Sequence, residues 1–314
     1  MFSKVLVPLD GSSLAEQALG PAAAIARTSG ATVDVVSVHE PMIFDASQYE
    51  PLDRSVWDET RRYVEGVAAE LSSRGGVSTT HATLKGDAVE CIAGRVREIG
   101  AGLIVMTSHG RTGLSRMWLG SVADGLIGSA RVPVLLLRPS DAAQQPAFAH
   151  QLFNHVLVPL DGSAASEEVL SAALALAKSS GARISLLRVV QLLPLVSAHS
   201  VTPFGYSAPA FHDLAIAAMK TAAAQQLDRV AARVRDEGTA VDADVVIEMS
   251  VAPTILEFAR THEVDLIAMS THGGGMSRLL VGSVADKVLR GSDLPLLAYR
   301  PMTEPEPSMP AAGG

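Results

Sequence analysis

The chain has 314 residues, 48% hydrophobic, 4% aromatic and 18% charged, with a formal net charge of −8. This Ala/Val/Leu-rich profile fits two domains of roughly 150 residues each, and its acidic balance lacks the basic footprint that contact with nucleic-acid phosphates requires. Cys91 is the only cysteine, no charged N-terminal segment precedes an apolar run, and no apolar stretch approaches the roughly 18 residues of a membrane span, so the expectation is a cytoplasmic protein without membrane contact.

The string Val-Leu-Val-Pro-Leu-Asp-Gly-Ser occurs twice, at 5–12 and at 156–163, so the chain is one module written two times. In the first copy, strand-forming runs at Lys4–Leu9, Thr32–Val38, Val77–Leu84, Leu103–Met106 and Val134–Leu137 are apolar on both faces, as buried parallel strands are. Between them lie stretches of helical period at Ser13–Ser29, Ser55–Arg74, Ala88–Ile99 and Val122–Gly128. Strict alternation of strand and helix specifies a doubly wound α/β sheet. Asp87, with Glu90 three residues on, reads as a helix N-cap, and Ser250 takes that place in the second copy. Cys91 reads as a small buried residue. Glu40–Arg54, carrying Phe44 and Tyr49, reads as a surface loop, and the second copy expands it into an aromatic- and proline-rich insertion, Gln191–His212. The offset between copies accordingly grows from 151 (Asp10 to Asp161) to 163 (Ile104 to Ile267), then drops to 162 (Gly120 to Gly282). The expected organisation is domain one at 1–139, a linker at 140–153, domain two at 154–301 and a disordered proline-rich tail at 302–314.

Ligands of open α/β sheets bind beyond the carboxyl ends of the strands, where the topology reverses. Two segments of each copy meet there. Pro8-Leu9-Asp10-Gly11-Ser12, repeated as Pro159-Leu160-Asp161-Gly162-Ser163, brings a carboxylate to the end of the first strand. That carboxylate suits ribose hydroxyls or a cation, and equally a helix cap. After the fourth strand comes Met106-Thr107-Ser108-His109-Gly110, then Gly120-Ser121-Val122 opening a helix, repeated as Met269-Ser270-Thr271-His272-Gly273, then Gly282-Ser283-Val284. Glycines that permit close backbone approach, ending on a helix N-terminus, offer N–H donors to phosphate; the same loops also serve as plain turns.

The Pro-Leu-Asp-Gly-Ser strand end, together with Thr107-x2-Gly110-x9-Gly120-Ser121, resembles the universal stress protein pattern in both halves. The resemblance implies two tandem Rossmann-like domains of the adenine nucleotide alpha hydrolase-like type, each a five-stranded parallel sheet, whose last strands pair to form an internal pseudo-dimer; a further homodimer is left open. It implies ATP, with Mg²⁺ arriving on the nucleotide. Adenine contacts fall near Val38 and Met106, ribose at Asp10 beside Pro8, and phosphates at Gly110, Gly120, Ser121 and Val122 beside Thr107. The second copy uses Pro159, Asp161, Val189, Met269, Ser270, Gly273, Gly282, Ser283 and Val284.

The pattern's first glycine is Thr107 here and Ser270 in the second copy, which adds a Cβ that disfavours positive φ and a hydroxyl able to donate to phosphate. Arg111 becomes Gly274 and one loop residue is lost, so weaker binding is expected in the second half. No Walker lysine, no Gly-x-Ser-x-Gly elbow and no metal-ligand spacing occurs, so no catalytic residue is assigned. The expected role is a stress-response sensor or effector that hydrolyses ATP slowly or not at all. The alternative is a protein-interaction module with degenerate pockets.

Overall fold

The computed structural model describes residues 2–40, 46–108, 119–138, 152–192, 208–272 and 281–302, the side chains of 46–50 and 208–212 excepted. The first half runs β1 (Lys4–Pro8), α1 (Ser13–Glu16), α2 (Leu19–Ser29), β2 (Thr32–His39), α3 (Ala46–Gly75), β3 (Thr79–Lys85), α4 (Ala88–Ile99), β4 (Leu103–Thr107), α5 (Ser121–Ser129) and β5 (Val134–Leu137). The second repeats it as β6 (His155–Pro159), α6 (Ala164–Glu167), α7 (Leu170–Ser180), β7 (Arg183–Gln191), α8 (Ala208–Asp236), β8 (Val241–Glu248), α9 (Val251–Thr261), β9 (Leu266–Ser270), α10 (Ser283–Gly291) and β10 (Leu296–Tyr299).

The strand order is β3-β2-β1-β4-β5-β10-β9-β6-β7-β8, parallel within each half. Between the halves, β5 and β10 run antiparallel, with Leu136 opposite Leu296 and Val134 opposite Ala298. Pairing these two edges satisfies backbone groups that would otherwise invite aggregation. The helices lie in two layers because strand side chains alternate faces. Val5, Val7, Val33, Val35, Leu103 and Val105 pack under α2 and α3, while Leu6, Val36, Ile104 and Met106 pack under α4 and α5. Two arginines at the strand ends cross between the halves. Arg138 donates to the Leu289 carbonyl in the last turn of α10, and Arg300 to the Gly128 carbonyl in the last turn of α5, where unpaired carbonyls and the helix dipole favour a cation.

Several elements depart from the sequence expectation. The helix expected over Ser13–Ser29 is two helices, and the second half is broken likewise; Ala18 N–H bonds the Ala15 carbonyl at the first break, and α7 opens with Ala172 N–H on the Val169 carbonyl, both contacts of the tighter three-residue kind. Most of the expected loop Glu40–Arg54 belongs to α3, which contains Pro51. The Asp53 carboxylate explains why the helix extends so far: it is held by His39 and, at 2.8 Å, by Lys85, which ties this turn to the ends of β2 and β3. Its pKa is lowered chiefly by those two bonds, Lys85 first. The third strand starts at Thr79 rather than Val77. Cys91 is half-buried rather than buried; its thiol donates to the Lys85 carbonyl at 3.6 Å, and its pKa is raised by burial and by Asp87 and Glu90. Asp87 caps α4 through Glu90 N–H at 2.9 Å, whereas Ser250 stands at the N-cap of α9 without a side-chain bond. Phe44, Tyr49 and the aromatic cluster 204–211 lie outside the described side chains.

Candidate nucleotide site

Each half has a crevice at the carboxyl ends of its first, second and fourth strands, the topological switch point of a 3-2-1-4-5 sheet. The first crevice, about 220 Å³, gathers Pro8, Asp10, Val38, Met106, Thr107, Gly120, Ser121 and Val122. The second, about 610 Å³, gathers Pro159, Asp161, Val189, Met269, Ser270, Gly282, Ser283 and Val284. Gly110 and Gly273, named from the sequence, lie outside the described residues, as do His109, Arg111 and Gly274.

The carboxylate arm is built by local geometry. Gly11 and Gly162 have φ of 82° and 84°, a region in which a side chain is strained. The chain thereby folds back so that Asp10 Oδ1 accepts from the Ser12 amide at 3.0 Å and its hydroxyl at 2.6 Å; Asp161 does the same with Ser163 at 2.9 and 2.6 Å. The cap itself is the serine, not the aspartate: Ser12 Oγ accepts from Ala15 N–H and Ser163 Oγ from Ser166 N–H, both at 3.1 Å. The capping alternative weighed for Asp10 therefore belongs to Ser12, and the aspartate orients that cap from the crevice wall.

The opposite wall is a helix N-terminus, and here the structure corrects which amides face the crevice. Gly120 N–H donates to the Ser108 carbonyl at 2.8 Å and Gly282 N–H to the Thr271 carbonyl at 2.7 Å, so neither glycine amide is a spare donor. The following turn offers its own. Asp124 and Asp286 N–H make the first intrahelical bonds, to Gly120 and Gly282. Ser121, Val122 and Ala123 thus have no helical acceptor, nor do Ser283, Val284 and Ala285, and both N-caps are glycines without a side chain to cover them. Those three N–H groups and the positive end of the helix dipole form an anion seat. Gly282 is required sterically, since a Cβ there would stand 3.0 Å from the Thr271 carbonyl oxygen.

Thr107 and Ser270 end β4 and β9 in ordinary strand conformation, and neither has positive φ, so the Cβ strain expected of them is absent. Ser270 does not turn its hydroxyl to the phosphate side; it is buried and donates to the Ala165 carbonyl at 2.8 Å.

The second crevice has a residue that the sequence reading passed over. Arg188 on β7 lines it, in the place of Ser37 in the first half. Its Nη1 donates to the Leu160 carbonyl at 3.3 Å, and burial lowers its pKa against the opposing pull of Asp161. The legible signal was a second cation in the middle of the strand Arg183–Gln191, with a neutral counterpart, Ser37, 151 residues earlier. His272 also lines this crevice, with Nδ1 3.0 Å from Thr271 Oγ1.

Comparison with known proteins agrees with the fold. A universal stress protein from Archaeoglobus fulgidus has the same fold over 95% of this chain and 96% of its own, at a TM-score of 0.67 and 19% identity. A universal stress protein from Pseudomonas aeruginosa gives 0.62 over 96% and 94% at 17% identity. Universal stress protein YxiE of Bacillus subtilis is 31% identical over 150 residues, covering 44% of this chain and all of its own length. A universal stress protein of Mycobacterium tuberculosis is 33% identical over 141 residues, 43% of this chain and 45% of its own length. The universal stress protein family model matches residues 1–138 and again 152–300, and the chain belongs to that family.

Proposed function

We propose that the protein binds ATP as its Mg²⁺ complex in one or both crevices and acts in the cytoplasm as a stress-response sensor or effector, with hydrolysis slow or absent. The stress-response role follows from family membership. Nucleotide binding rests on one observation made twice: a carboxylate at the end of the first strand faces an uncapped helix N-terminus across a crevice, at Asp10 with Ser121–Ala123 and at Asp161 with Ser283–Ala285. The carboxylate accepts from ribose hydroxyls, the N–H groups donate to phosphate, and the apolar side chains of Val38 and Met106, or Val189 and Met269, provide a flat seat for a base. The β5–β10 pairing supports reading the two halves as one pseudo-dimeric unit. The second crevice, at about 610 Å³, is within the roughly 300–1,000 Å³ of ordinary ligand pockets.

The engagement of the Gly120 and Gly282 amides favours the second reading, a protein-interaction module. Unfolding with and without Mg-ATP separates the two. A ligand bound only by folded protein stabilises it by about 2.7 kcal/mol at a hundredfold excess over Kd. An unchanged midpoint at millimolar Mg-ATP would leave the interaction module standing.

A further inference from the structure

The anion seat of each crevice is the first turn of a short helix, and the far end of that helix is held from the opposite half. α5 and α10 have nine residues each, a rise of about 13 Å, and neither N-cap makes a side-chain bond. Their buried faces, Ala123, Leu126 and Ile127 in α5 and Ala285, Val288 and Leu289 in α10, set the height of each helix over the sheet. The ends set where the first turn stands along its axis. At the N-terminal end the hold comes from the same half, through the Gly120 N–H bond to Ser108 and the Gly282 N–H bond to Thr271. At the C-terminal end it comes from the other half. Arg300 donates to the Gly128 carbonyl of α5, and Arg138 to the Leu289 carbonyl of α10. Both carbonyls lie in a last turn, where helical N–H partners run out and the dipole favours a cation.

The two arginines occupy the same point of each half. Ser108 N–H donates to the Leu137 carbonyl and Arg138 follows; Thr271 N–H donates to the Tyr299 carbonyl and Arg300 follows, both bonds being 2.8 Å. The strand ends that hold each helix start thus carry the grip on the opposite half's helix. Arg290 in α10 crosses as well, 3.8 Å from Asp124 in the first turn of α5, but both are exposed and such a pair contributes little. We propose that Arg300 and Arg138 are positioning residues for the opposite half's nucleotide site, so that each crevice binds its anion at full strength only with the other half's arginine in place. Neither arginine needs to touch the ligand. Losing the guanidinium frees the helix end, shifts the three N–H donors of the first turn, and removes a cation about 13 Å from the seat; each of these weakens anion binding.

This positioning role rests on the proposed nucleotide binding, and the test separates the two. The isotope-labelled full chain is titrated with Mg-ATP by NMR, the Ala123 amide reporting the first crevice and the Ala285 amide the second. For each crevice that binds, the expected effect is crossed: Arg300→Gln weakens the affinity read at Ala123 by about fivefold and leaves that at Ala285 unchanged, and Arg138→Gln does the reverse. Arg300→Lys and Arg138→Lys, which keep a donor and the charge, recover most of the loss. A merely structural role would weaken the crevice of the variant's own half, or both alike, and either pattern overturns the proposal. The wild-type chain supplies a reading that needs no variant to fold. The Arg300 Nε–H resonance should titrate with the Ala123 amide and that of Arg138 with Ala285; a resonance that follows its own half, or stays still while the opposite crevice fills, also overturns it. If the amides titrate but neither Gln variant acts across the junction, the nucleotide reading survives alone. If neither amide moves at millimolar Mg-ATP, both fall.

Discussion

Gly282→Ala tests the phosphate seat with the smallest available change. The new methyl carbon would lie 3.0 Å from the Thr271 carbonyl oxygen, against 3.4 Å or more for an ordinary contact, so backbone must move by about 0.4 Å. Gly282 has φ of −68°, so no conformational strain contributes, and the whole effect is steric. The atom pushed away is the acceptor of the 2.7 Å Gly282 N–H bond, so relief of the clash weakens that bond. Overpacking of this kind destabilises by about 1–3 kcal/mol, and a weakened hydrogen bond by about 1 kcal/mol more. The second half should then unfold about 2–4 °C lower per kcal/mol, a fall on the order of 5–10 °C. Functionally, Ser283, Val284 and Ala285 move with the helix start, and calorimetric titration with Mg-ATP should lose the second site while retaining the first. The corresponding change, Gly120→Ala, should remove the other site. Unaltered stoichiometry and affinity in Gly282→Ala would refute the claim that α10 seats the phosphate.

Other consequences follow from charges and caps elsewhere. Asp34 is fully buried on β2, bonded by Arg95 through both carboxylate oxygens at 2.9 and 3.0 Å, an interaction that raises the arginine's pKa. Asp34→Ala leaves Arg95 with only the exposed Glu98, at 3.1 Å, and should destabilise by about 3 kcal/mol, the lower end for a broken buried pair, on the order of 10 °C in the first half's melting. His155, buried at the start of β6, has Nδ1 2.9 Å from the His262 carbonyl and 3.1 Å from Arg183 Nη2, and Nε2 2.7 Å from Ser185 Oγ. Burial depresses its pKa below 6.5, with the nearby Arg183 adding to the effect and the His262 bond opposing it. The unfolded state therefore binds more protons in the acid range, so stability from this group is full above about pH 6.5 and is lost as pH falls below it. The second half's melting point should drop between pH 7 and 5 in the wild type and change less in His155→Gln; equal slopes would contradict this. Ser12→Ala removes the cap on Ala15 N–H and one donor to Asp10, and should destabilise by about 1 kcal/mol while weakening Mg-ATP binding in the first crevice only.

The fold was legible because its evidence is periodic. Strands buried on both faces, such as Leu103–Thr107, read as unbroken apolar runs, and the duplication lets each half check the other. The boundaries that moved did so for tertiary reasons. The early turns of α3 are tied down by His39 and Lys85 closing on Asp53, a contact between elements that local propensity does not contain. At the site, the structure places Asp10 with Ser121 and Asp161 with Ser283 in the lining of one crevice each, because a strand end followed by Asp-Gly-Ser and a Gly-Ser helix start have few geometries open to them.

The division of labour within the glycine loop was hidden. Spacing gives Gly120 and Gly282 a place near phosphate but not a role, and their amides bond the preceding strand end. Gly282 is there because a Cβ would crowd that same carbonyl at 3.0 Å, and its contribution to an anion is to let the helix begin close to it. The same logic explains why Thr107 and Ser270 stand where the family pattern has glycine: only φ > 0 or a close contact demands it, and neither position has positive φ. Arg188 was missed for the opposite reason. A cation inside a strand that already begins with Arg183 resembles a solvated edge, and only its counterpart Ser37, in a chain built from one module, marks where the two halves differ in charge.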